Sequence, residues 1–77
     1  MNSHDLSIRL LRFHDLKRLG VVTNRATLRR WVAAGDFPPP IPVGPNSLAW
    51  RADEVRAWLD RRAEQRAELV RRWRGRQ

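Results

Sequence analysis

Apolar residues recur at helical spacing in the first half of the chain. Phe13, Leu16 and Leu19 stand three positions apart, and Gly20 follows them directly. This spacing predicts a short amphipathic helix that turns the three side chains towards a core and ends at a glycine in a left-handed conformation. We expect an extended segment to lead into this helix.

A second stretch with helical spacing follows after a short turn. Leu28, Trp31 and Val32 stand at positions i, i+3 and i+4, and then come a glycine and three consecutive prolines. The pattern predicts a second helix that begins after Thr23 or Asn24, since either side chain can accept a hydrogen bond from the first turn. The glycine and the prolines end it. Two short helices joined by a tight turn indicate a helix-turn-helix.

Alternating apolar positions then predict a small β-hairpin. Ile41 and Val43 share one face of its first strand, Leu48 and Trp50 share one face of the second, and "GPNS" supplies the turn between them. Pro42 has no N–H to donate, so the first strand must be an edge strand. A hairpin directly after a helix-turn-helix is a wing. The predicted fold class is therefore mainly α with a small β-hairpin, a winged helix-turn-helix.

A third helical pattern begins directly after the second strand. Val55, Trp58 and Leu59 share its inner face, and no helix-breaking residue interrupts it before the glycine close to the end of the chain. We therefore expect one extended C-terminal helix. Glu68 and Arg72 are spaced to form an i,i+4 ion pair on it.

The length of 77 residues fits one small domain, and no cysteine is present to staple it. We divide the chain into a flexible N-terminus (residues 1–7), a winged-helix DNA-binding domain (8–62) and an arginine-rich helical extension (63–77). The four tryptophans suit a packed core. No apolar stretch approaches the roughly 18 residues of a membrane span, and no signal-peptide pattern opens the chain. We expect a cytoplasmic bacterial protein that lies on the nucleoid when it is bound to DNA.

The charge of the chain indicates a polyanionic partner. Sixteen Lys and Arg residues stand against eight Asp and Glu residues, which leaves a formal net charge of +8. Nucleic acid is the first candidate for so basic a small domain. All but one of these cations are arginine, whose fork fits phosphates and guanine edges. The codon usage of a GC-rich genome is an alternative explanation of the arginine bias.

No catalytic or metal-binding pattern is found in the sequence. The two histidines are not in metal-ligand spacing, and there is neither a glycine-rich phosphate loop nor a Ser-His-Asp set. We predict that the protein is not an enzyme, holds no metal or cofactor and takes no small-molecule ligand.

The polar residues of the second helix are the candidate DNA-reading residues. With its apolar side packed inwards, Arg25, Thr27, Arg29 and Arg30 remain on or beside the outward face. Arg25 or Arg29 could fork onto guanine O6 and N7, and Thr27 could contact a thymine methyl group or a phosphate. The alternative is a solvated basic face without a partner.

Further DNA contacts are expected from the hairpin and the first helix. The hairpin tip, Pro45–Asn46–Ser47, suits a neighbouring minor groove or the backbone, and Arg51 is a candidate phosphate clamp. Lys17 could touch the backbone, and Arg18 could do the same or be solvated.

The arginine-rich extension has two interpretations. It could enlarge the phosphate footprint, or it could present Leu69, Val70 and Trp73 to a partner protein or to another copy of the chain. A tryptophan is large and mostly apolar, so leaving it exposed is costly, which favours the protein contact.

Three strings of this sequence resemble a known family. "LLRFHDLKRLG", "NRATLRRWVAAGDFPPPIPVG" and "LAWRADEVRAWLDRR" are similar to the AlpA-type and excisionase proteins of phages and mobile elements, within the wider MerR-like winged-helix class. The shared pattern is Asn-Arg-x-Thr-Leu, then Gly-x-Phe-Pro-x-Pro, then a Trp before Glu-Val-x-x-Trp-Leu. It covers about residues 10–62 and assigns no role to the helix beyond them.

The resemblance implies a binder of double-stranded DNA, with the second helix in the major groove and the wing alongside. It adds Asn24 to the reading residues and supports Pro45 to Ser47 as the wing contacts. Members of the family act as transcriptional activators or as recombination directionality factors, which bend attachment-site DNA and recruit an integrase.

An excisionase-like role is the leading hypothesis, because the pattern predicts a winged helix without a sensor domain. So small a module buries limited surface, so we expect several copies to bind direct repeats cooperatively. A promoter-bound regulator is one alternative, and a protein-interaction adaptor that uses the arginine-rich helix is another. RNA binding is disfavoured, because no aromatic-bearing sheet is predicted.

Overall fold

The computed structural model describes residues 9–75. A two-residue strand comes first, and two helices, a hairpin and two more helices follow it. The elements are β1 (Leu10–Leu11), α1 (Phe13–Arg18), α2 (Arg25–Ala33), β2 (Ile41–Gly44), β3 (Ser47–Arg51), α3 (Ala52–Glu64) and α4 (Arg66–Gly75). This order is that of a winged helix-turn-helix, and the predicted fold class is confirmed. The flexible segment predicted at residues 1–7, and residues 76–77 of the extension, lie outside the described residues.

Glycines end both helices of the helix-turn-helix. Gly20 has φ +82° and Gly35 has φ +77°, the left-handed conformation that a residue with a Cβ adopts only under strain. The backbone N–H of Val21 donates to the carbonyl of Leu16 at 3.0 Å, and that of Asp36 donates to Trp31 at 2.8 Å. These hydrogen bonds, from residue i to residue i−5, are those of a Schellman motif, so each helix is closed by the turn that its glycine makes.

The sheet has three antiparallel strands in the order β1-β3-β2. The extended segment before α1 pairs Leu11 with Trp50, so it adds a strand that the hairpin pattern alone does not include. Strand β2 lies at the edge, as the proline at its second position requires, and pairs Ile41 with Ala49. The side chains of Ile41, Val43 and Leu48 are exposed, so the apolar pattern of the hairpin contributes mainly Trp50 to the core.

The core lies between the helix-turn-helix, the sheet and α3. Its buried side chains come from every one of these parts: Leu16, Val22, Leu28, Phe37, Trp50, Val55 and Trp58. Aromatic rings fill its centre, with the rings of Phe37 and Trp58 4.8 Å apart and inclined at 72°. Both buried indoles are satisfied, since Trp50 donates to the carbonyl of Pro38 at 2.9 Å and Trp58 donates to that of Asp36. These two bonds tie the proline-rich link to the core.

Two predictions about apolar side chains are wrong. Leu19 is 64% exposed, because α1 ends at Arg18 and the chain turns away at Gly20. Leu59 is 41% exposed, because only Val55 and Trp58 of α3 are buried against the core. Trp73 also lies outside the core, since no residue of α4 is buried.

The predicted extended C-terminal helix is present, but it bends at Gln65, so that α3 and α4 are separate helices. At Gln65 the backbone N–H donates to Arg62 at 3.1 Å, which is an i−3 bond and closes α3 with a tightened turn. Helix α4 then restarts, and the described part of the chain is elongated, with principal extents of 55 × 31 × 21 Å. The predicted pair of Glu68 with Arg72 is replaced by a pair with Arg71 at 2.7 Å.

Candidate nucleic-acid interface

Asn24 fixes the start of α2, the helix that bears most of the candidate DNA contacts. Its Oδ1 accepts a hydrogen bond from the backbone N–H of Thr27 at 2.8 Å, so Asn24 rather than Thr23 is the cap. Its Nδ2 lies 3.4 Å from Thr23 Oγ1. Because the side-chain oxygen is used by the helix, the NH2 group is the part of the Asn24 side chain that a DNA contact would use.

Helix α2 carries three exposed arginines, Arg25, Arg29 and Arg30. Leu28 is buried, and Trp31 and Val32 are half-buried beside it. Arg30 Nη2 lies 3.4 Å from Thr27 Oγ1. Within residues 9–75, none of the three guanidinium groups pairs with a carboxylate. The exposed face of α2 is therefore a concentration of unneutralised positive charge.

Arg25 is held against the first helix. Its guanidinium carbon lies 4.2 Å from the centroid of the Phe13 ring, which is cation–π geometry. The sequence gives no sign of this contact, because the two residues are twelve positions apart and meet only when α1 and α2 pack together.

Clefts lie between α2, the start of α1 and the hairpin. One of about 370 Å³ is bordered by Arg12, His14, Arg25, Asn46 and Ser47, over a floor that includes Phe13 and Trp50. A smaller one of about 140 Å³ shares part of that floor and adds Arg29 at its rim. The two clefts connect the charged face of α2 with the hairpin.

The predicted wing residues differ in position. Pro45 and Asn46 form the exposed turn between β2 and β3, while Ser47 is half-buried and borders the larger cleft. The structure brings Asn46 and Ser47 close to Arg25, although the sequence separates them by about twenty residues.

Arg51, the predicted phosphate clamp, is already paired within the protein. Its Nε and Nη2 donate to the two carboxylate oxygens of Asp53 at 3.0 and 2.7 Å. This bidentate hydrogen bond holds the pKa of Asp53 below its usual range and raises the pKa of Arg51. The pair joins the end of β3 to the first turn of α3.

The first helix carries two cations near its end. Lys17 is exposed, whereas Arg18 Nη2 donates to Asp15 Oδ1 at 2.7 Å. Asp15 also accepts from the backbone N–H of Arg12 at 2.8 Å, and this bond is the main cause of its lowered pKa.

Helix α4 presents apolar side chains away from the core. Leu69 and Val70 are half-buried, and Trp73 is 59% exposed. Among its arginines, Arg71 is paired with Glu68. Before the bend, the Arg62 guanidinium lies 5.0 Å from the centroid of the Trp58 ring.

Within residues 9–75, no group of three or more His, Cys, Asp or Glu side chains could hold a metal ion. None of the helices described there is long and apolar enough to cross a membrane.

Together, the fold and the charged face of α2 define a small winged helix-turn-helix of the DNA-binding class. The family model described as Prophage CP4-57 regulatory protein (AlpA) matches residues 9–63, and the chain belongs to this family. It is thus a small DNA-binding regulatory protein of phage or prophage type, from a family of regulators rather than enzymes. Comparison with curated proteins and with solved structures gives no match.

Proposed function

We propose that the chain recognises a specific sequence of double-stranded DNA, with α2 in the major groove and the hairpin alongside. The observation that carries this proposal is the set of exposed arginines on α2, which pair with no carboxylate of residues 9–75. That helix is capped by Asn24 and anchored by Leu28, so its side chains are presented from a rigid element. The proposed reading residues of this helix are Asn24, Arg25, Thr27, Arg29 and Arg30.

The test compares Arg29→Ala and Arg30→Ala with the wild type on a cognate and a scrambled duplex. A bidentate contact to guanine contributes about 1–3 kcal/mol of discrimination, so at least one variant should lose roughly five- to 150-fold in the ratio of the two affinities. Fluorescence anisotropy measures both affinities.

Arg56→Ala is the matched control, because Arg56 is exposed on α3 and pairs with Asp60 away from the clefts. It should keep the wild-type ratio. Full retention of partner binding in Arg25→Ala and Arg29→Ala, without any DNA preference in the wild type, would instead favour the adaptor hypothesis.

For the biological role, we propose an excisionase-like function at the ends of a mobile element. Such a role requires contacts between neighbouring copies on DNA, or with an integrase. The apolar side chains of α4 support it, since none of them is buried: Trp73 is exposed, and Leu69 and Val70 are half-buried. In this proposal residues 8–62 bind DNA, and residues 63–77 make the protein contact.

Transcriptional regulation is the second candidate. The description of the matched family as a prophage regulatory protein favours it directly. A promoter-bound copy would use the same face of α2, so the two candidates share their DNA chemistry.

The roles are separated by an excision reaction and a promoter reporter, run with the same protein. An excisionase should raise the yield of integrase-mediated excision from an attachment-site substrate and bend that DNA in a permuted-fragment assay. A regulator should change reporter output while excision stays at its basal level.

A further inference from the structure

We infer that the cleft between α1, α2 and the hairpin seats one phosphodiester backbone of the bound duplex, and that Arg25 is its phosphate contact rather than a reader of bases. Phe13 is the residue that positions Arg25. The inference rests on the proposed binding of double-stranded DNA and assigns a different task to one of its residues.

The first step is the placement of the cleft relative to the duplex. A major groove is bounded on each side by a phosphodiester backbone, and a minor groove lies beyond each backbone. If α2 lies in the major groove and the hairpin lies alongside, one backbone must pass between them. The cleft of about 370 Å³ occupies this space, with α2 and α1 on one side and Asn46 and Ser47 on the other.

The second step is the charge of the cleft. The ionisable groups along the two cleft linings are Arg12, His14, Arg25 and Arg29, and neither lining, drawn from residues 9–75, includes a carboxylate. Asp15 stands nearby, where it accepts from the backbone of Arg12 and from Arg18, and its Oδ1 lies 3.4 Å from His14 Nε2. Within residues 9–75, the guanidinium groups of Arg12, Arg25 and Arg29 pair with no carboxylate. The amide of Asn46 and the hydroxyl of Ser47 add neutral donors of the kind that contact DNA phosphates. Such a lining complements an anionic backbone.

The third step is the orientation of Arg25. Its guanidinium lies at 4.2 Å over the Phe13 ring, beside the clefts, and no carboxylate within residues 9–75 pairs with it. The contact is made to the face of the Phe13 ring, and the N–H fork of a guanidinium fits two phosphate oxygens. The stack also draws Arg25 sideways towards α1, whereas Arg30 has no such partner and lies beside Thr27 on the outward face.

The experiment measures affinity for cognate and scrambled duplexes between 50 and 200 mM salt, for the wild type, Arg25→Ala and Phe13→Leu. Each duplex is also made with a single neutral methylphosphonate at successive backbone positions. Arg25→Ala should weaken binding to both duplexes by the same factor. The slope of its log affinity against log salt concentration should be shallower by about 0.9. Between 50 and 200 mM salt, the variant should therefore lose affinity by a factor roughly 3.5 times smaller than the factor for the wild type.

Phe13→Leu keeps an apolar side chain beside the core but removes the aromatic face. It should lower both affinities by roughly two- to fivefold with an unchanged cognate-to-scrambled ratio. Thermal melting of each variant checks that the fold is intact. Arg56→Ala, which removes an exposed arginine outside the cleft, should keep the wild-type slope.

The methylphosphonate scan identifies the phosphate that Arg25 contacts. At one backbone position the neutral group should weaken binding of the wild type and have no further effect on Arg25→Ala. If Arg25→Ala instead loses affinity only for the cognate duplex, with an unchanged salt slope and no coupled phosphate, Arg25 reads a base and the inference is overturned. Equal binding of both duplexes by the wild type would refute the proposed sequence-specific function, while the coupling to a phosphate would still be measured on either duplex.

Discussion

The start of α2 depends on one side chain. Asn24 adopts an extended backbone conformation and turns its Oδ1 back to the N–H of Thr27, which would otherwise have no partner within the helix. Since Arg25 follows immediately, the same bond that begins the helix also sets the position from which this arginine leaves the backbone.

We predict that Asn24→Ala destabilises the fold by about 1 kcal/mol, because it removes the cap. For a domain of this size, that loss lowers the melting temperature by roughly 4–8 °C. Asn24→Ser is the control, since a serine hydroxyl can accept the same bond and should restore most of the stability. Equal destabilisation by Ala and Ser would show that the amide group, rather than the cap, is what matters.

Asp15 makes the stability of the fold depend on acid pH. The N–H of Arg12 and the guanidinium of Arg18 favour its charged form, so its pKa is lower in the folded chain than in the unfolded chain. Its contribution is therefore complete above the unfolded pKa of about 3.9 and is lost as the pH falls through the lower folded value.

We predict that Asp15→Asn lowers the melting temperature at pH 7, because the neutral amide keeps an acceptor but lacks the charge. The difference from the wild type should shrink as the pH falls below about 4. Melting curves recorded by circular dichroism from pH 7 to pH 2 check this. A difference in melting temperature that stays constant with pH would show that the altered hydrogen bonding of the side chain, rather than its ionisation, causes the effect.

Among the elements, the proline-rich link is held by the core and not by its own backbone pairing. The carbonyls of Asp36 and Pro38 accept from two buried tryptophans, and the Phe37 side chain between them packs against both. The link therefore orients the hairpin relative to α2, which is what brings the wing beside the reading face.

We predict that Phe37→Ala destabilises the fold by about 3–5 kcal/mol, because it opens a cavity in the centre of the aromatic core. Leu19→Ala is the matched control, since Leu19 is exposed and its loss should change stability by no more than about 0.5 kcal/mol. Urea unfolding followed by tryptophan fluorescence measures both. Similar losses for the two variants would contradict the position of Leu19 outside the core.

At the scale of the whole molecule, α4 stands apart from the domain that precedes it. None of its residues is buried, and the described chain is almost twice as long as it is wide. Stability and assembly should therefore respond to different residues, with the core controlling the first and α4 the second.

We predict that the double variant Leu69→Ala and Trp73→Ala melts within a few degrees of the wild type but loses cooperativity on DNA with several sites. The physical reason is that these side chains lie outside the core and are free to contact a neighbouring copy or a partner protein. Binding isotherms on single and repeated sites measure the cooperativity. A large loss of stability would show that α4 packs on the domain. Unchanged cooperativity would show that α4 makes no contact between copies bound to DNA.

Local chemistry allowed the sequence to determine the order of elements and the ends of the first helices. The glycines at 20 and 35, the cap at Asn24 and the proline of the edge strand act within a few residues, so the pattern itself predicts them. The spacing of Leu28, Trp31 and Val32 likewise separates the core side of α2 from its charged side.

Only the tertiary structure decided which side chains meet. The stack of Arg25 on Phe13, the pairing of Leu11 with Trp50, and the bonds from tryptophans to the proline-rich link join residues distant in the sequence. Periodicity also overestimated the core at Leu19 and Leu59, because a helical repeat continues past the point where a neighbouring element ends. Burial and charge pairing depend on packing in three dimensions, and a one-dimensional pattern does not contain that information.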